Sequence, residues 1–179
     1  IKKNKEINPK YFYPLLGSAF SKEDLIAGIE VLVSGQITMS KKTRDFEKDF
    51  ANKLGKKYAL MVNSGSSANL LAAFAACNPL RKNRFKPRDE ALIPVLCWST
   101  SLWPLVQSGL KPVFVDVDKD TLNVDSDLLL KKINNKTKVI MLVHVLGNST
   151  NVEKIRKIAQ RKKIILIEDT CESLGSKFK

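Results

Sequence analysis

Five short apolar runs separated by helix-patterned segments constrain this chain more than any other feature. The runs are "YALMV" (58–62), "EALIPV" (90–95), "PVFVDV" (112–117), "KVIMLVHV" (138–145) and "IILIED" (164–169). Each is short for a buried helix and too continuously apolar for a strand with one wet face. Between them the pattern predicts helices over 66–77, over "STSLWPLVQS" up to Gly109, over "SDLLLKKI" and over 151–162. Strands that are apolar on both faces, alternating with helices, imply a parallel sheet covered on both sides. The expected fold class is therefore α/β, three layers (α/β/α) around a mainly parallel sheet.

Ahead of this series the chain reads differently. Pro9 and Pro14 interrupt the first twenty residues, which read as an irregular arm. Ser21 with Asp24 three positions on forms a capping-box pattern for a helix reaching about Val33. A loop, "SGQITMSKK", precedes an amphipathic helix over "TRDFEKDFANKLG" that Gly55 stops. The expected organisation is an arm and helix over 1–34, then part of one larger domain over 35–179. A chain of 179 residues is long enough for a substantial core.

In an open α/β sheet, ligands collect beyond the carboxyl ends of the strands. Here those ends carry Asn63 to Ser67, Leu96 to Thr100, Asp116 to Asp118, His144 to Asn148 and Glu168 to Glu172. In "VNSGSSANLLAAFAAC" a strand passes to a helix through Gly65, Ser66 and Ser67. Free N–H groups and the helix dipole favour a phosphate at such a junction, although Ser64 or Ser66 serving only as a cap explains the same residues. Trp98 follows a strand in a polar setting, "CWSTS", where its ring can stack on a planar heterocycle or pack on the next helix. Glu168 and Asp169 end an apolar strand, where a carboxylate calls for a cation: a protonated ring nitrogen, or a Lys or Arg. A phosphate seat, a stacking aromatic and an acid for a pyridinium, in that chain order, match the three handles of pyridoxal 5'-phosphate (PLP).

Other chemistries find less support. The net charge is +13, from 31 Lys and Arg against 18 Asp and Glu, which raises a nucleic-acid role. The basic residues lie on helix faces such as "EKIRKIAQRKK" and in the loop "RKNRFKPR", and are not interleaved with aromatics. Cys77, Cys97 and Cys171 form no C-x-x-C, and His144 stands at no familiar zinc spacing from them. Reduced, mostly buried thiols and no metal are expected. No G-x-G-x-x-G is present, and "LGKKY" lacks the rest of a phosphate-binding Walker loop. No apolar run approaches a membrane span and the start lacks a signal-peptide core, so a soluble, cytoplasmic protein is expected.

"VNSGSSANLL", "QSGLKPVFVDVDKDTLNVD", "TKVIMLVHVLGN" and "IEDTCESLGS" together resemble the DegT-type family of PLP-dependent nucleotide-sugar aminotransferases, from about residue 12 to the last residue. The resemblance implies the N-terminal part of the large domain of a fold type I PLP enzyme, binding PLP or its amine form pyridoxamine 5'-phosphate. It implies that Gly65 and Ser66 hold the cofactor phosphate, that Trp98 stacks on the pyridine and that Asp169 binds the pyridine nitrogen. It further implies a nucleotide-linked keto-deoxyhexose as substrate, C3 dehydration or transamination as the reaction, and a homodimer. "NSGSSANLL", "WSTSLWPLVQSG" and "HVLGN" resemble the NDP-4-keto-6-deoxyhexose 3-dehydratase subgroup, in which a histidine replaces the catalytic lysine. Glu172 stands where many of the aminotransferases carry glutamine. If a helix continued past Asp169, it would lie one turn on, near the cofactor's phenolic edge. Ser40 stands where the family's "T-M-G" loop has glycine. The resemblance places the catalytic lysine or histidine downstream of "ESLGSKFK", so the chain is expected to be a piece of a longer enzyme. From a different class, the alternative is a non-catalytic basic α/β module that binds an anionic ligand or nucleic acid.

Overall fold

The computed structural model describes residues 20–82 and 85–178, which form two compact units, one running to Met61 and the other from Val62. The arm expected over the first residues lies outside the described residues, as does part of the "RKNRFKPR" loop.

The first unit contains two helices, α1 (Lys22–Ser34) and α2 (Lys41–Lys53). The capping box forms as the sequence predicts. Ser21 Oγ accepts the Asp24 N–H at 3.1 Å, and the Asp24 carboxylate accepts the Ser21 N–H at 2.8 Å. That second bond is the main cause holding the Asp24 carboxyl below its usual range. Phe46 and Phe50 stack one turn apart on α2, with ring centroids 5.4 Å apart.

The second unit is the α/β body. Its elements are α3 (Gly65–Ala76), β1 (Glu90–Pro94), α4 (Ser99–Gln107), β2 (Lys111–Val115), α5 (Ser126–Lys132), β3 (Thr137–Val143), α6 (Val152–Lys162) and β4 (Ile165–Asp169). The four strands form one all-parallel sheet in the order β2-β1-β3-β4. Side-chain alternation along the central strands builds the two cores. Leu92, Ile140 and Leu142 point to one face, where Leu129 of α5 and Ile155 and Ala159 of α6 cover them. Ala91, Ile93, Val139 and Met141 point to the other, under Ala73 and Ala76 of α3 and Leu105 of α4. These are the three layers that the continuous apolar runs imply.

One expected strand is absent. Residues 58–62 have no regular secondary structure, and Tyr58, Leu60 and Met61 are exposed. A strand exists only through a hydrogen-bonded partner, and apolar composition predicts burial without supplying one. Among the described residues, the Met61 N–H donates instead to the Glu47 carboxylate, at 2.8 Å. The thiols also differ from expectation: Cys77 and Cys97 are half-buried and Cys171 is exposed. No described helix is long and apolar enough to cross a membrane.

Candidate functional site

Asp169 closes β4 and is half-buried between α3 and α4. Its Oδ2 accepts the Asn69 side-chain amide and the Ser101 hydroxyl, both at 2.8 Å. Its Oδ1 accepts the Cys171 N–H at 3.1 Å. All three donors are neutral. No ion pair among the described residues includes Asp169, so none of those residues supplies the Lys or Arg partner that the sequence left open. A carboxylate bonded only to neutral donors keeps its charge available to a cation from outside the chain. The neighbouring Cys97 thiol responds to that surrounding: burial raises its pKa, and the negative Asp169 raises it further.

Asn69 and Ser101 reach Asp169 from the second turn of α3 and the first turn of α4. The starts of these helices carry the other predicted residues. At α3, Ser64 is the cap: its Oγ accepts the Ser67 N–H at 3.2 Å. Gly65 and Ser66 are the first two helical residues and are exposed. Their amides have no acceptor among the described residues. Ser66 is therefore not spent as a cap, and two orphan donors stand at the positive end of a 12-residue helix. A Cβ added to Gly65 would sit 3.6 Å from Cys171 Sγ, which places this end beside the turn that follows β4.

Trp98 is the residue before α4, and its carbonyl accepts the Ser101 N–H at 2.9 Å. Trp98 is 72% exposed, which removes packing into a helix as the explanation for this tryptophan. One turn, about 5–6 Å along an axis, separates Gly65 from Asn69 and Trp98 from Ser101. Gly65, Ser66, Trp98 and Asp169 are thus drawn together at one part of the sheet's carboxyl edge.

Glu172 lies near this cluster on a different footing. The chain does not continue as a helix past Asp169. Asp169 Oδ1 captures the N–H two residues on, an Asx-turn that competes with helix, and Gly175 follows at φ +91°. In the resulting turns, Glu172 Oε2 accepts the Leu146 N–H at 2.8 Å, and Ser176 Oγ donates to the Gly147 carbonyl at 2.6 Å. The "HVLGN" loop is clamped to the segment after β4.

Sequence reasoning missed Asn69 and Ser101, although Asn69 is a polar residue within an apolar helical stretch and Ser101 borders one. It also left His144 without a role. His144 is buried; its Nδ1 accepts the Thr150 N–H at 3.1 Å, and its Nε2 lies 3.2 Å from the Glu168 carboxylate. Accepting at Nδ1 fixes the proton on Nε2, which then donates to Glu168. Val117 pairs with Val124 in an isolated bridge, and Asp118 leads into a turn at 119–121, its Oδ1 accepting the Asp120 and Thr121 amides. A groove of about 400 Å³ opens beside that turn, lined by residues that include Asp125 and Asp127. Its acids are committed, since Asp125 caps α5 and Asp127 pairs with Lys154. Near Asp169, by contrast, the Gly65 and Ser66 amides remain without an acceptor among the described residues.

The family of the chain follows from its similarity to known proteins. The DegT/DnrJ/EryC1/StrS aminotransferase family matches residues 19–179. The chain belongs to this family. It is 44% identical over 166 residues to the GDP-4-keto-6-deoxy-D-mannose 3-dehydratase of Yersinia pseudotuberculosis, covering 93% of this chain and 42% of that protein. It is 32% identical over 168 residues to the UDP-4-amino-4-deoxy-L-arabinose–oxoglutarate aminotransferase of Shewanella sediminis, with 94% and 42% covered. Among solved structures it superimposes on the E. coli GDP-4-keto-6-deoxy-D-mannose-3-dehydratase with bound hydrated PLP at a TM-score of 0.86. That match has 43% identity and covers 93% of this chain and 43% of the other. The α/β architecture expected from the sequence is thus the large-domain fold of such enzymes. The chain spans about two-fifths of the length of these relatives.

Proposed function

We propose that this chain is part of a PLP-dependent enzyme of nucleotide-sugar biosynthesis, acting on a keto-deoxyhexose by C3 dehydration or transamination. One observation carries the reading: Asp169 is half-buried and, among the described residues, bonded only to neutral donors, one of which, Asn69, stands one helical turn from the free amides of Gly65 and Ser66. A ligand with an anionic group at one end and a protonated ring nitrogen at the other fits that pair, and PLP is such a ligand. Pyridoxamine 5'-phosphate offers the same two handles.

In this assignment the Gly65 and Ser66 amides, with the Ser66 hydroxyl, bind the phosphate at the α3 dipole. Trp98 covers one face of the ring. Asp169 holds a proton on the ring nitrogen, and Glu172, whose Oε2 accepts the Leu146 N–H, acts near the ring's phenolic edge. When bound, the cofactor supplies an electron-poor ring that takes up the electron pair released at a substrate carbon.

The named relatives process GDP- and UDP-linked sugars, which supports a nucleotide-linked sugar as substrate. Residues 1–34 are assigned as arm and helix, 35–179 as the N-terminal part of the large domain, and the enzyme as a cytoplasmic homodimer. Family membership supports this reading over the basic binding module. The test is a crystal structure with PLP or phosphate. The anion is expected within about 2.7–3.2 Å of the Gly65 and Ser66 amides; an anion held only at the "RKNRFKPR" loop would overturn the assignment.

A further inference from the structure

Two donors from two helices converge on a single oxygen of Asp169. Ser101 Oγ and Asn69 Nδ2 each lie 2.8 Å from Oδ2, while Oδ1 receives one donor, the Cys171 N–H. An ionised carboxylate has about four lone-pair sites, two on each oxygen. Oδ2 is full and Oδ1 has one site left. Ser101 is fully buried, so its hydroxyl has no solvent to turn to.

The Asn69 amide is held from a second side. Pro104 lies inside α4 and has no N–H, so the Thr100 carbonyl four residues earlier lacks its helical donor. Asn69 Nδ2 lies 3.4 Å from that carbonyl as well as 2.8 Å from Asp169. One –NH2 group spans the helix gap and the carboxylate, which fixes the amide plane and decides which way its donors face.

We propose that Asn69 and Ser101 are positioning residues for Asp169: by filling Oδ2 they lock the carboxylate and leave Oδ1 as the oxygen that meets the protonated ring nitrogen of the cofactor. The inference rests on the PLP reading above and adds to it which oxygen is used and what orients it. Neither residue touches the cofactor. Because both donors are neutral, they orient the acid without cancelling the charge that keeps the ring protonated.

The test uses the gene-length protein loaded with PLP carrying 15N in the ring, with Ser101→Ala, Asn69→Leu, their double variant, Ser101→Thr and Asp169→Asn. Three quantities are read: the 15N shift that reports ring protonation at a fixed, mildly alkaline pH, the PLP dissociation constant, and the melting temperature. Each single variant is expected to weaken PLP binding by about fivefold, and the double variant by about tenfold or more, with loss of the protonated-nitrogen signal. Ser101→Thr keeps the hydroxyl and should restore both. A crystal structure of the wild-type complex should place the ring nitrogen against Oδ1. If the double variant does not fold, Ser101→Ala decides the matter alone. The proposal is overturned if the folded variants lacking these donors keep the protonated signal and wild-type affinity while Asp169→Asn loses them, or if the nitrogen sits on Oδ2. Should Asp169→Asn also change nothing, the cofactor reading fails together with it.

Discussion

Glu172 accepts the Leu146 amide N–H at 2.8 Å across 26 positions of sequence. Leu146 needs that anchor, because its backbone is left-handed at φ 52° and ψ 32°, a conformation that costs a non-glycine residue about 1–2 kcal/mol. The carboxylate therefore has a structural duty at the strand ends as well as the role near the cofactor assigned to it here.

These two duties separate by substitution. Glu172→Gln keeps an acceptor oxygen for Leu146 and should leave stability nearly unchanged. Glu172→Ala removes it and should cost about 1 kcal/mol in denaturant unfolding. A Gln variant of wild-type stability with reduced turnover supports a role for the charge. Equal turnover in wild type and Gln would confine Glu172 to holding the loop.

The cysteines give a readout of Asp169 that needs no ligand. Burial and then the Asp169 charge raise the Cys97 thiol, so at mildly alkaline pH it carries less thiolate than an ordinary cysteine. Cys171 is exposed and should react first with a thiol reagent, with Cys97 lagging. Asp169→Asn removes the repelling charge and should speed the Cys97 phase, measurable by timed mass spectrometry. An unchanged Cys97 rate would mean that no negative charge acts on it.

Much of this fold was legible because parallel strands buried on both faces leave a simple trace. Leu92 and Ile93 are adjacent apolar residues that end up in opposite cores, and nothing in a helix or a half-wet strand demands that pairing. The run at 58–62 has the same composition and no strand, since a partner is a property of the pairing and not of the run. At the candidate site, Gly65, Ser66, Trp98 and Asp169 were singled out from their places just after apolar runs. Asn69 was not, because its decisive contact is 100 positions away and depends on which helix lies beside β4. Glu172 was placed one turn beyond Asp169 on the condition that a helix continued there, and the Asp169 Asx-turn prevents one. Local propensity there loses to one side-chain hydrogen bond.

The acid itself carries the strongest expected effect. In the PLP-loaded, gene-length protein, Asp169→Asn should lower the melting temperature only modestly, since an amide oxygen still accepts from Ser101 and Asn69 while the Cys171 N–H loses its acceptor. The charge-assisted bond to the ring nitrogen is lost, at about 2–3 kcal/mol. PLP affinity should fall accordingly and turnover by more, because an unprotonated ring is a poorer electron acceptor. Wild-type turnover in this variant would refute the assignment.

The last expectation concerns which reaction the enzyme performs. The 44% identity to a 3-dehydratase, the subgroup-like wording of "NSGSSANLL" and "HVLGN", and an acid at Glu172 in place of glutamine favour C3 dehydration over lasting transamination. In that subgroup a histidine stands where the aminotransferases carry the lysine, and a carboxylate such as Glu172 hydrogen-bonds a protonated imidazole more strongly than a neutral amide does. Histidine forms no covalent link to the cofactor, so PLP should be held only by contacts such as those of Gly65, Ser66, Trp98 and Asp169. Borohydride reduction of the loaded, gene-length protein, followed by denaturation and mass measurement, reads this directly. The polypeptide mass should be unchanged, with the cofactor lost on denaturation. A phosphopyridoxyl group fixed to a lysine would instead assign the enzyme to transamination.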